Sequence, residues 1–141
     1  MVQASDFRSG RHVVFKLNAH LVFVPKYRKR CITSRVHQVL QASFETVCKD
    51  FECELLEVGY EEDHVHLLVS YPPKVALSKL VNSLKGVSAR RLRAANLPEV
   101  RRALAGLSFW SPSYCAVSCG GAPLDTVRAY VEKQRGDSPP P

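Results

Sequence analysis

No apolar run in these 141 residues is long enough to cross a bilayer as a helix. No signal peptide is read at the N-terminus either. The first apolar run begins only at Val13, and Lys16, Asn18 and His20 interrupt it. Cys-x-x-C pairs are missing as well. The cysteines (Cys31, Cys48, Cys53, Cys115 and Cys119) are an odd set without zinc-knuckle spacing. They read as reduced thiols of a cytoplasmic protein, not as a disulfide frame. The most telling absence is of acidic residues: there is none between Asp6 and Glu45, a stretch that holds Arg8, Arg11, Lys16, Lys26, Arg28, Lys29, Arg30 and Arg35. A second basic run comprises Lys85, Arg90, Arg91, Arg93, Arg101 and Arg102. With a formal net charge of +7, two such clusters point to a polyanionic partner, nucleic acid first. The plain alternative is a solvated face that keeps the chain in solution.

The most informative stretch present is Asp63-His64-Val65-His66-Leu67-Leu68-Val69-Ser70. It reads as an apolar strand with a histidine pair at its start. Strand side chains alternate faces, so His64 and His66 share one face, with Cα atoms roughly 6.5–7 Å apart. Two imidazoles at that spacing can grip one metal ion. Val65, Leu67 and Val69 take the opposite face, towards a core. A strand with two solvated histidines is the bland reading of the same residues.

Residues 1–11 are expected to be a flexible N-terminus. Residues 12–24 alternate as one long strand, with Val13, Phe15, Leu17, Ala19, Leu21 and Phe23 on its apolar face. A basic loop with one aromatic, Lys26-Tyr27-Arg28-Lys29-Arg30, follows Pro25 and suits phosphate contacts with base stacking. Ser34 can cap a helix over 34–50, with Val36, Leu40, Phe44, Val47 and Phe51 on one stripe. Residues 52–60 read as a strand despite the adjacent Leu55 and Leu56. The acidic turn after it leads into the histidine strand as a hairpin. A helix is expected over 75–95, basic in its second half, and a short one from Pro98 to about residue 105. Residues 107–118 read as one kinked strand or two short ones. Gly120-Gly121 is a flexible joint, Pro123 opens a last helix to about Gln134, and 136–141 is an expected disordered tail. This order predicts an α+β, ferredoxin-like domain over 12–135. It has a four-stranded antiparallel sheet, helices on one face, and a C-terminal tyrosine-bearing helix. The other face would carry His64, His66, Lys16, Asn18 and His20.

On the last helix, Tyr130 and Gln134 stand one turn apart on the same side. A tyrosine hydroxyl is a nucleophile once deprotonated, and Gln134 offers an amide oxygen as a third ligand beside two imidazoles. On their own, such residues more often belong to packing and surface.

Taken together, the chain resembles the small single-tyrosine transposases of the His-hydrophobic-His nuclease superfamily, the IS200-like family. The resemblance extends over about residues 12–134. It rests on Lys26-Tyr27-Arg28, Asp63-His64-Val65-His66-Leu67-Leu68, Leu84-Lys85-Gly86-Val87-Ser88-Ala89-Arg90, Phe109-Trp110-Ser111-Pro112-Ser113-Tyr114 and Tyr130-x-x-x-Gln134. Two departures are Glu62, where relatives often have proline, and a longer, proline-rich tail.

The resemblance implies that His64, His66 and Gln134 hold a divalent metal, Mg²⁺ or Mn²⁺. It implies that Tyr130 attacks the scissile phosphate of single-stranded DNA, giving a 5′-phosphotyrosine and a free 3′-hydroxyl. It also implies hairpin-ended DNA as partner, and a homodimer with shared active sites in which Gly120 and Gly121 are the hinge of the tyrosine helix. Lys26, Arg28, Lys29, Arg30, Lys85, Arg90, Arg91 and Arg93 are the candidate DNA contacts. Two competing readings remain: a ferredoxin-like nucleic-acid binder without catalysis, and a metal-dependent hydrolase in which water attacks.

Overall fold

The computed structural model describes residues 7–118 and 131–132. Its main sheet is built from β3 (Asn18–Phe23), β4 (Glu54–Glu61), β5 (His64–Ser70) and β6 (Cys115–Ser118). The spatial order is β4-β5-β3-β6, and every neighbouring pair is antiparallel. Helices α1 (Ser34–Asp50) and α2 (Leu77–Ala95) cross between the strands, and α3 (Pro98–Leu104) follows. This is the expected α+β, ferredoxin-like arrangement. A small separate ladder, β1 (Arg8–Ser9) with β2 (Val14–Phe15), precedes it.

The helices share one face of the sheet because of their apolar stripes. Val36, Leu40, Phe44 and Val47 of α1 and Leu80, Val81, Leu84 and Leu92 of α2 are buried with Ala19, Leu21, Phe23, Val65, Leu67 and Val69. Thr33, not Ser34, is the N-cap of α1: its backbone is extended and its Oγ1 accepts from the Val36 amide at 3.3 Å. The same hydroxyl donates to Glu99 at 2.6 Å, and Arg35 holds that carboxylate as well, which ties the start of α3 to the start of α1. Pro98 opens α3 at a position where its missing N–H costs nothing. Trp110 closes the core from the far side, its Nε1 donating to Ser88 Oγ at 3.0 Å.

The structure refines the sequence reading of the strands. The single strand over 12–24 is broken at Lys16 and Leu17, and Arg8 supplies the cause. Its guanidinium donates to the Ser70 carbonyl and hydroxyl and to the Glu52 carbonyl, pairs with Glu54 at 3.3 Å and lies over the Phe15 ring. With that clamp, Arg8 and Ser9 pair as a short strand with Phe15 and Val14. Lys16 in turn leaves the histidine face and lies over Phe7. The adjacent Leu55 and Leu56 reflect a bulge: the register with β5 shifts between Leu55 and Glu57. One extra residue lets Leu55 and Val58, three apart, both pack on the helix side. Of the aromatic stretch, only Cys115–Ser118 is a regular strand, with Trp110 making an isolated bridge to Pro25.

Among the described residues, no helix is long and apolar enough to cross a membrane. Cys31, Cys48, Cys53 and Cys115 are free thiols. Burial pushes Cys31 and Cys53 up to about 11 and Cys48 to about 12, so they stay protonated and inert.

Candidate active site

The sheet face opposite the helices is fixed by register. Cross-strand partners share a face, and His66 pairs with Val22 on one side and Gly59 on the other. His64 lies opposite Glu61, Leu68 opposite His20, and Ser70 opposite Asn18. Asn18 and His20 therefore stand on the histidine face as expected. The His64 and His66 rings are half-buried, with centroids 6.4 Å apart and planes tilted by 34°.

Each imidazole has its own support. His64 Nδ1 lies 2.9 Å from Asp63 Oδ1. A carboxylate only accepts, so Nδ1 is the donor of this hydrogen bond. Asp63 is buried, and its other oxygen accepts from Arg28 Nε at 2.6 Å. Burial pushes the Asp63 carboxyl up. The His64 hydrogen bond and the Arg28 charge outweigh that, and it titrates below the usual range. His66 rests on backbone: a Cβ at residue 59 would collide with its Nε2 and Cε1, so only glycine leaves room for the ring. Burial, then the His64 charge, lower the His66 pKa. The ring stays neutral at physiological pH, the form that binds metal.

This face is not bare. Val131 is buried with Val22 and Val24 in a second, smaller apolar cluster, with Cys115 against it. Glu132, beside it in the chain, brings a carboxylate oxygen to 4.0 Å from Arg28 Nη2. Tyr130, Gln134, Gly120, Gly121 and the tail lie outside the described residues. Among the described residues, no group of three or more histidine, cysteine or acidic side chains could hold a metal on its own. The described residues bring together the imidazole pair, two nitrogen donors on one face of the sheet.

The candidate DNA cations separate. Lys29 and Arg30 are exposed on the loop, Arg30 being 3.9 Å from Glu62, while Lys26 is half-buried beside them. Arg28 is no free surface cation: its side chain is 9% exposed and committed to Asp63. Lys85 is half-buried, and its Nζ donates to the carbonyls of Ser111 at 2.6 Å and Ser113 at 3.2 Å. It therefore braces the Trp110 loop. Arg90, Arg91 and Arg93 are exposed on α2, in the layer behind the sheet and away from the histidines. Two contributors to the site carry only faint sequence signals. Gly59 is an isolated glycine in a strand, a mark of close approach. Arg28 is one basic residue among several.

Comparison with known proteins agrees with this architecture. The chain is 32% identical over 129 residues to the ISDra2 transposase TnpA of Deinococcus radiodurans, a match that covers 92% of this chain and 91% of that one. It is 26% identical to the transposase of insertion sequence element IS200 from Salmonella typhimurium, over 92% and 84% of the two chains. A crystal structure of a candidate transposase from Deinococcus radiodurans superposes with a TM-score of 0.77 at 30% identity, covering 90% of this chain and 97% of that one. A REP-associated tyrosine transposase, solved bound to a REP hairpin, shares the fold with a TM-score of 0.54 at 15% identity over 89% and 68% of the two chains. The family model for IS200-like transposases matches residues 13–134, and with the antiparallel sheet and its histidine strand in place, this chain belongs to that family.

Proposed function

We propose that this transposase cleaves and rejoins single-stranded DNA through a 5′-phosphotyrosine on Tyr130. The carrying observation is the packing of Val131, next in the chain to Tyr130, on Val22, the cross-strand partner of His66. In the reaction the Tyr130 oxygen forms a bond to phosphorus and the bond to the 3′-oxygen breaks. The phenol gives up its proton, and the leaving 3′-oxygen takes one up. The phosphoester is conserved in the protein–DNA link, so the 3′-hydroxyl of another strand can attack it and reseal the chain without a nucleotide cofactor.

His64 and His66, with Gln134, would hold a divalent ion, Mg²⁺ or Mn²⁺. Two imidazoles favour Mn²⁺. When bound, the ion polarises a phosphate oxygen and orients the strand. The protein's own part is to keep His66 neutral and against Gly59, and to keep His64 Nε2 free through Asp63. The partner in this reading is hairpin-ended DNA, held by the exposed cations. A homodimer with shared active sites belongs to the same reading, with Gly120 and Gly121 as the hinge of the tyrosine helix.

The test is strand cleavage of a labelled, hairpin-ended single strand. Chelator should abolish it. His64→Ala should lower it at least 100-fold while the melting temperature is held. Cleavage indifferent to both would remove the histidine pair from the chemistry. DNA retarded on a native gel without any cleavage would favour the non-catalytic, hairpin-binding reading instead.

A further inference from the structure

We propose that Arg28 is a positioning residue for this site: through Asp63 it fixes the ring orientation and tautomer of His64. The inference rests on the functional reading above and names a residue that reading does not use. Four observations carry it. The contacts are continuous, Arg28 Nε to Asp63 Oδ2 at 2.6 Å and Asp63 Oδ1 to His64 Nδ1 at 2.9 Å. The Arg28 side chain is only 9% exposed, while its neighbours Lys29 and Arg30 are exposed. The backbone is turned to put it there: Tyr27 and Arg28 are consecutive non-glycine residues in the left-handed region, with φ of 57° and 53°. Finally, Nη1 of Arg28 is buried with no hydrogen-bond partner among the described residues.

Each of the last three features costs stability. Left-handed backbone is unfavourable for a residue that carries a Cβ. So is a buried donor without a partner. A buried ion pair gains little over apolar packing of the same volume. Stability alone would not select this arrangement, and strain of this kind is characteristic of functional sites. What the arrangement achieves is specific. An arginine to one side of Asp63 leaves its other oxygen aimed at His64, and that oxygen holds the proton on Nδ1. Glu132, two residues after Tyr130, lies 4.0 Å from the same guanidinium. Arg28 thus stands between Asp63 and Glu132.

The experiment uses the full chain with Mn²⁺ as probe. Mn²⁺ binding is followed by electron paramagnetic resonance and cleavage is titrated with Mn²⁺. The His64 tautomer is read from ring ¹⁵N shifts in metal-free protein. The expected result for Arg28→Gln is Mn²⁺ affinity about 10–100-fold weaker, and a matching rise in the Mn²⁺ needed for half-maximal cleavage. His64 should become a mixture of tautomers. Arg28→Lys, which keeps the charge, should recover part of the affinity. Wild-type affinity and an unchanged Nδ1–H tautomer in Arg28→Gln would overturn the proposal. Should that variant fail to fold, Asp63→Asn gives the same readouts with nearly the same shape. His64→Ala separates the two levels of argument. If it leaves Mn²⁺ binding intact, the metal reading fails, and the tautomer measurement still decides the role of Arg28.

Discussion

A methyl group at position 59 has nowhere to go, because the His66 ring occupies the space above the Gly59 Cα. Gly59→Ala must push the imidazole away or bend β4. We expect a stability loss of about 1–3 kcal/mol, as for other overpacked sites. Mn²⁺ binding should weaken at least tenfold, measured by thermal melting and metal titration. Unchanged metal binding would mean that the ring position is unimportant. A second residue-scale prediction concerns Glu99, whose carboxyl is drawn from an ordinary 4.5 to about 2 by hydrogen bonds from Arg35 and Thr33. A depressed folded-state value stabilises the fold fully above the ordinary range, and the contribution is lost as pH falls through the folded value. Glu99→Gln should therefore flatten the acid limb of the stability curve between about 4.5 and about 2, and leave its slope near neutrality alone. An unaltered limb in acid melts would show that this surface pair is screened out.

At the scale of elements, Val131 is the described C-terminal residue that packs on the strand beside the histidines. Val131→Asp would bury a carboxylate against Val22 and Val24, which form a cluster apart from the main core. The expected outcome is a cleavage rate reduced at least tenfold, with the helix-side core still melting cooperatively. A wild-type rate would show that this docking is dispensable. The elements also show what the sequence could tell. The helix over Ser34–Asp50 and the histidine strand were legible because an amphipathic stripe and a period-two alternation each specify one face. The break at Lys16 and Leu17 was not, because it depends on Arg8 reaching Ser70, Glu52 and Glu54, contacts far apart in the chain. The bulge left a trace, the Leu55-Leu56 doublet, whose meaning needs the partner strand. The histidine pair could be read from spacing. Its supports could not, since an arginine in a basic loop looks the same whether it faces solvent or Asp63.

For the whole molecule, the sheet divides the charge. Lys29 and Arg30 flank the loop beside Asp63, while Arg90, Arg91 and Arg93 lie on α2 behind the sheet. Exposed cations on both layers suit a polyanionic partner such as DNA. The account then turns on whether the protein becomes joined to that DNA. The most direct measurement is a denaturing gel of the full chain with labelled, hairpin-ended single-stranded DNA, with Mn²⁺ or with chelator, beside Tyr130→Phe. The account predicts a covalent protein–DNA band that needs Mn²⁺ and is absent from Tyr130→Phe. A band that persists in Tyr130→Phe, or metal-dependent cleavage with no band at all, would contradict it and make another nucleophile, or water, the attacking group.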